Sequence, residues 1–200
     1  MSLYEGLNVK ENILLSKNST FRCGGPAKFF AEPTSEDEIL GLLAKASEYG
    51  HEVFILGSGS NILFSDDGFD GLVIKLGKAF GKVTVEDEGD TGLVIAEAGA
   101  PMATFGLKCA EASLQGAEFI CGIPGSVGGG VYMNAGAYGG EVKNIAVSVR
   151  YIKYGKVCEM PASEAKFGYR TSVFEKEKGM VITGFTARLP KGDKAQIDAL

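Results

Sequence analysis

Histidine occurs once in these 200 residues, and the four cysteines, Cys23, Cys109, Cys121 and Cys158, stand far apart with no CxxC pair. A zinc site draws its ligands from such residues at short, regular spacings, so no metal centre is expected. Free thiols in a reducing compartment are the plain reading, with Cys121, beside a glycine-rich loop, open to oxidation without being catalytic. Basic residues do not outnumber acidic ones: 20 Lys and Arg against 25 Asp and Glu leave a net charge of −5. A nucleic-acid partner, which needs a basic face, is therefore not expected. No segment approaches the ~18 apolar residues that span a bilayer. The opening Met-Ser-Leu-Tyr-Glu-Gly-Leu has neither the basic nor the apolar region of a secretory leader. Neither a membrane partner nor export is expected, and the localisation read from the sequence is cytoplasmic. Two nucleotide signatures are missing as well. The glycine-rich loops lack Gly-Lys-Ser/Thr, and no Gly-x-Gly-x-x-Gly with a later ribose-binding acid occurs, which sets aside a P-loop hydrolase and a Rossmann fold.

Glycine, by contrast, is abundant: 29 of 200 residues, about twice its usual share of ~7%. Eight of these glycines fall between residues 122 and 140, in Gly-Ile-Pro-Gly-Ser-Val-Gly-Gly-Gly-Val-Tyr-Met-Asn-Ala-Gly-Ala-Tyr-Gly-Gly. That stretch holds no charged side chain and runs into a plausible helix start at Ser126. Uncovered backbone N–H groups in such a loop suit phosphate oxygens. A second loop, Gly57-Ser-Gly-Ser-Asn61, follows the apolar run Val53-Phe-Ile-Leu56. Alone, it is equally a small-residue turn of no chemical importance.

The remaining pattern is α+β. Lys28-Phe-Phe-Ala31 and Val53-Phe-Ile-Leu56 read as strands around a helix that starts with a capping box, Ser35-Glu-Asp-Glu38, and continues with Ile39, Leu42, Leu43 and Ala46 at helical spacing. This is a βαβ unit. Turn chemistry at 66–71 precedes a strand over 72–74. The alternating run over 82–86 and the strand over 93–98 form a hairpin. Pro101 opens a helix to about Ser113. Residues 145–152 and 156–160 make a second hairpin around Tyr154-Gly155, and 181–189 is a last strand. The division read from this pattern is an α/β lobe over residues 1–78, a more antiparallel lobe over 79–190, and a further segment over 191–200 that begins another helix.

Four motifs then occur in series: Asn18-Ser-Thr-Phe-Arg-Cys-Gly-Gly-Pro-Ala27, Leu56-Gly-Ser-Gly-Ser-Asn-Ile-Leu63 with Phe69-Asp-Gly-Leu-Val-Ile74, the long glycine run, and Phe167-Gly-Tyr-Arg-Thr-Ser-Val-Phe174. In this order the chain resembles the UDP-N-acetylenolpyruvoylglucosamine reductases, flavoenzymes of peptidoglycan precursor synthesis, from about Asn18 to Leu189. The resemblance implies the two-lobed FAD-binding fold of the vanillyl-alcohol oxidase and cresol methylhydroxylase type. FAD would lie in the seam between the lobes, NADPH would be the reductant and a UDP-sugar the substrate. The family carries a further domain with its proton-donating serine after the strand equivalent to 181–189. Nothing of that motif is present here, so the expectation is a flavin-binding part with weak or no turnover by itself.

Residue by residue, the resemblance assigns Ile55, Gly57, Ser58, Gly59, Ser60 and Asn61 to the flavin diphosphate. Ile123, Pro124, Gly128, Gly129, Asn134, Gly136, Ala137 and Ile182 go to the rest of the cofactor. The alternative for the glycines is close packing of a helix on a sheet. Tyr132 and Tyr138 line the pocket or fill the core, a choice left open. The covalent-flavin histidine of several relatives of this fold is absent from residues 57–61, which implies noncovalent FAD, and His51 reads as exposed. Tyr169 and Arg170 are assigned to substrate, with Arg170 catalytic: a guanidinium holds a carboxylate or developing enolate in a bidentate fork. The alternative is a surface arginine paired with Glu164 or Glu175. Arg22 approaches a flavin phosphate or pairs with an acid. Cys23 replaces an aliphatic residue. An FAD-binding module that turns nothing over, or another oxidase of the same fold, remain alternatives to the reductase. Arg170 in Phe-Gly-Tyr-Arg-x-Ser speaks against the oxidase.

Overall fold

The computed structural model describes residues 3–198. Met1, Ser2, Ala199 and Leu200 lie outside them, and with them the last two residues of the expected 191–200 segment. Strands β1 (Val9–Leu14) and β2 (Pro26–Ala31) form an antiparallel pair. Helix α1 (Glu36–Glu48) follows, then β3 (Glu52–Leu56) and β4 (Phe69–Lys75). The sheet order is β1-β2-β4-β3, with β4 parallel to both β2 and β3. The βαβ unit is therefore present, but β4 lies between its two strands. β1 was not expected. Its VKENIL sequence exposes most of its side chains at the sheet edge and carries no alternating apolar signal.

β4 shows why this sheet needs cover on both sides. Leu72 and Ile74 face the larger core, whereas Val73 faces a smaller cluster with Leu15, Ala27, Phe30, Leu56 and Phe64. Buried on two faces, its residues form a continuous apolar run. α1 covers the larger face with Ile39, Leu42 and Ala46. Its N-cap behaves as expected in one half only. Ser35 Oγ accepts from Glu38 N at 3.2 Å. The Glu38 carboxylate, however, accepts from Thr34 N at 2.7 Å instead of from the Ser35 N–H.

The second sheet collects β5 (Val83–Asp87) and β6 (Thr91–Glu97). Between β6 and the sheet's later strands lie α2 (Met102–Glu111), α3 (Glu118–Cys121), α4 (Val127–Tyr132) and the two-residue strands β7 (Gly136–Ala137) and β8 (Gly140–Glu141). Then come β9 (Ala146–Lys153), β10 (Lys156–Pro161), the short α5 (Val173–Lys176) and β11 (Val181–Pro190). Its order is β10-β9-β11-β6-β5, antiparallel throughout. Both expected hairpins are β5–β6 and β9–β10, and a helix, α6 (Lys194–Asp198), follows β11. One apolar cluster joins the two sheets: Phe29 and Leu72 from the first and Ile39 of α1 pack in the same core as Val94, Val149 and Phe185 from the second.

Candidate functional site

The chain leaves β3 at buried Leu56 and turns through Gly57, Ser58, Gly59, Ser60 and Asn61. Two distant segments meet on this turn. Gly59 has φ +69°, and a Cβ there would lie 2.2 Å from Asn18 O, so only glycine fits. Thr20 N donates to Gly59 O at 2.9 Å. A Cβ on Gly57 would lie 2.2 Å from Ser126 Oγ, and Ser60 Oγ donates to Pro124 O at 3.0 Å. The opening motif and the long glycine run thus grip the turn from two sides. Among the described residues, the N–H groups of Ser58, Gly59, Ser60 and Asn61 find no protein acceptor. Consecutive uncommitted N–H groups form an anion cradle.

Beside that turn opens a cleft of about 390 Å³, lined by Gly57, Ser58, Lys75, Lys78, Gly99 and Pro101 among others. It lies at the carboxyl ends of β3, β4 and β6, the usual ligand position in an open sheet with parallel strands. Lys75 Nζ donates to Asn18 Oδ1 at 2.9 Å, which holds one cation at the mouth. Sequence reasoning missed Lys75 and Lys78. The only signal was a lysine closing the run Leu72-Val-Ile-Lys75, and strand register alone brings it beside Gly57. A row of free N–H donors, two lysines and a turn packed too closely for side chains at Gly57 and Gly59 fit a dinucleotide diphosphate.

The start of α4 is different. Ser126 caps it, accepting from Gly129 N at 3.4 Å. Val127 N donates to Ala100 O and Gly128 N to Ala98 O, each at 2.8 Å. A Cβ on Gly128 would stand 2.8 Å from Ala98 Cβ. The first-turn donors are therefore taken by the exit of β6 and by Ser126; Gly128 packs tightly on Ala98, whereas Gly129 is exposed. The free donors lie in the 58–61 turn instead.

Asn134 is the hub of the glycine run's far end. It is buried, has φ +46°, donates to Glu141 Oε2 at 3.0 Å and Gly168 O at 2.9 Å, and accepts from Lys143 N at 2.9 Å. Its side chain is wholly engaged by the protein, and it ties the run to the turn that presents Arg170. That turn spans residues 168–171, closed by Gly168 N donating to Thr171 O at 3.0 Å. Arg170 at its tip has φ +54°, a costly backbone for a residue with a Cβ. Its Nη2 donates to Gly136 O at 2.7 Å, and its guanidinium stands 5.8 Å from the Tyr169 ring centre. Among the described residues no carboxylate pairs with it: Glu175 takes the Thr171 hydroxyl, so the expected alternative pairing with Glu164 or Glu175 does not form. Lys143 and then Asn134, with the Arg170 charge adding, hold the Glu141 carboxyl below the ordinary range. Tyr132, Tyr138 and Tyr169 are all exposed.

The other assigned residues are scattered around this site. Ile55 is half-buried on β3, and Pro124 supplies the carbonyl for Ser60. Ile123 packs at the edge of the core, and Ile182 is buried on β11 opposite Tyr151. Gly136 and Ala137 pair with β8, where a Cβ on Gly136 would lie 2.6 Å from Gly140 O. His51 is not the exposed residue expected. Its Nδ1 lies 2.8 Å from the Tyr4 hydroxyl, and its ring packs among Tyr4, Phe29 and Tyr49. Arg22, at φ +55°, pairs with no acid among the described residues. Cys23 is only half-buried. Cys121 is exposed at the end of α3, with its thiol pushed up by partial burial and Glu118.

The family model described as FAD binding domain matches residues 27–157. A UDP-N-acetylenolpyruvoylglucosamine reductase of Clostridium perfringens is 40% identical over 184 residues, which is 92% of this chain and 59% of that protein. The crystal structure of the Thermus caldophilus reductase of the same name superposes with a TM-score of 0.81 at 30% identity, over 96% of this chain and 66% of that one. BBE-like 1 of Physcomitrella patens shares the fold alone, with a TM-score of 0.67 at 17% identity over 96% of this chain and 45% of that one. The chain thus spans about three-fifths of the length of the reductase it matches. Its architecture is the two-lobed flavin fold shared by these enzymes, and the residues that build the cleft from Ala27 onward fall within the matched stretch. The chain belongs to the FAD binding domain family.

Proposed function

We propose that this chain is the flavin-binding part of an NADPH-dependent reductase that converts UDP-N-acetylglucosamine enolpyruvate to UDP-N-acetylmuramate in the cytoplasm. The observation that carries it is the run of uncommitted N–H groups from Ser58 to Asn61 at the mouth of a cleft bordered by Lys75 and Lys78. The N–H groups and the two lysine ammoniums would together hold the FAD diphosphate. Bound there, FAD supplies the hydride chemistry. The link is noncovalent, since residues 57–61 and 122–140 contain no histidine and His51 is engaged with Tyr4. The lobes run over 1–78 and 79–190, with 191–200 opening the next segment.

Arg170 binds the carboxylate of the enolpyruvyl group and stabilises the charge that builds beside it during reduction. One Nη2 contact anchors the side chain to Gly136 O, which leaves the other guanidinium N–H groups for substrate. Its left-handed backbone is the kind of strain that persists where a site demands it. Tyr169 stacks against the guanidinium and orients it.

The test is a visible spectrum of the purified chain followed by acid precipitation. A flavin spectrum with all colour released to the supernatant is expected. Colour kept in the pellet would overturn the noncovalent assignment. Gly59→Val should abolish the colour, because its Cβ would strike Asn18 O and reshape the cradle. Full retention in that variant would move the diphosphate elsewhere.

A further inference from the structure

An ion-pair network between α1 and the second sheet contains none of the residues that line the cleft just described. Glu36, the first residue of α1, receives Arg150 of β9 in a two-pronged contact: Nε to Oε1 at 2.9 Å and Nη2 to Oε2 at 2.7 Å. Thr183 of β11 donates its hydroxyl to the same Oε1 at 2.6 Å. These bonds join the helix that covers the first sheet to two strands of the second.

Thr183 is buried and is the extra residue of a bulge. The β11–β9 ladder passes from Ile182↔Tyr151 to Gly184↔Arg150 without it. A bulge leaves a residue out of the ladder and re-aims its groups. Here the hydroxyl goes to Glu36, and the carbonyl accepts from Ala98 N at 3.0 Å. Ala98 O in turn accepts from Gly128 N at 2.8 Å. The next residue, Gly99, lines the cleft so tightly that a Cβ would lie 2.5 Å from Gly77 O. A continuous line of hydrogen bonds and backbone therefore runs from Glu36 through Thr183 and Ala98 to the cleft wall.

A half-exposed ion pair adds little stability by itself. The buried Thr183 hydroxyl is another matter, because Glu36 is its acceptor and sets where the bulge sits. We propose that Glu36 and Thr183 are positioning residues for the cofactor: they hold the bulge so that Ala98 and Gly99 keep the cleft at the width FAD needs, without touching it. This rests on the reading that the cleft takes FAD.

FAD titrations of the chain with Glu36→Gln, Thr183→Val, Thr183→Ser and the Gln/Val double variant test it. Urea unfolding without FAD and amide hydrogen exchange accompany them. Thr183→Val and Glu36→Gln should each weaken FAD about tenfold, within the usual range for coupled sites. The double variant should be no weaker than either single one, because both act through one unit. Thr183→Ser, which keeps the hydroxyl, should restore binding. The Ala98 and Gly128 amides should exchange faster in the weakened variants, relative to amides of the β1–β2 ladder. Lower urea stability with unchanged FAD affinity would reduce the network to a structural brace and overturn the proposal. So would a serine variant as weak as the valine one. An unaltered chain that binds no FAD would sink the flavin reading itself, whereas equal binding by all variants would sink only the positioning role.

Discussion

Arg170 owes its position to its own turn and to Asn134. At the two-residue tip its φ is +54°, and Asn134 fixes the turn by donating to Gly168 O and Glu141 Oε2. Lysine in its place would keep the charge and lose the planar fork. In this chain joined to the remaining sequence of a full-length relative, Arg170→Lys should lower kcat by about 10²–10³, the usual cost of losing a preorganised donor. The flavin spectrum should stay unchanged. Steady-state kinetics with a parallel flavin titration decide it: normal turnover would remove Arg170 from the reaction, and lost flavin would make it a cofactor ligand. The cysteines separate by environment. Burial pushes the Cys109 thiol up to about 12, and the residue is inaccessible on α2. A thiol reagent at neutral pH should modify Cys121 in the folded chain and Cys109 only after unfolding, as mass mapping would show. Rapid labelling of Cys109 in the native protein would contradict that assignment.

At the scale of elements, α1 is held by its cap as well as by its buried stripe. Three acids, Glu36, Asp37 and Glu38, sit in its first turn, where the helix dipole favours them. Ser35→Ala removes the acceptor for Glu38 N and should cost about 1 kcal/mol in urea unfolding. A change near zero would mean that Thr34 and Glu38 cap the helix unaided. α4 is too short for such an argument, and its position comes from Val127 N and Gly128 N bonding the exit of β6. The amphipathic helix, the two hairpins and the strand β11 were legible because each carries a local period or a turn pair such as Tyr154-Gly155. β1 was not, since an exposed edge strand needs no apolar alternation and draws its stability from pairing with β2.

For the whole molecule, the bonds from Glu36 to Arg150 and Thr183 tie the two sheets together across more than a hundred residues of chain. The hydrogen bond from Arg150, reinforced by Thr183, holds the Glu36 carboxyl below the ordinary range against the opposing effect of burial. With the folded value depressed, this stability is present above the unfolded carboxylate value and is lost as pH falls through the folded one. The urea midpoint of the chain should therefore drop more steeply on acidification than that of Glu36→Gln, which should be less stable by about 1 kcal/mol at neutral pH. Parallel slopes would show that Glu36 is not the group being titrated. The sequence by itself determined the α+β character, the order of the longer elements from β2 onward, the two glycine loops and the Tyr169-Arg170 pair. All of these rest on local period, turn chemistry or a contiguous motif. Only the tertiary structure decided which loop N–H groups remain free, because that of Gly128 is claimed by Ala98 and those of Ser58 to Asn61 meet no acceptor among the described residues. It also decided that Lys75 and Lys78 border the cleft and that Glu36 reaches Thr183. Such partners depend on strand order, register and a bulge, which are set by the packing of segments far apart in the chain.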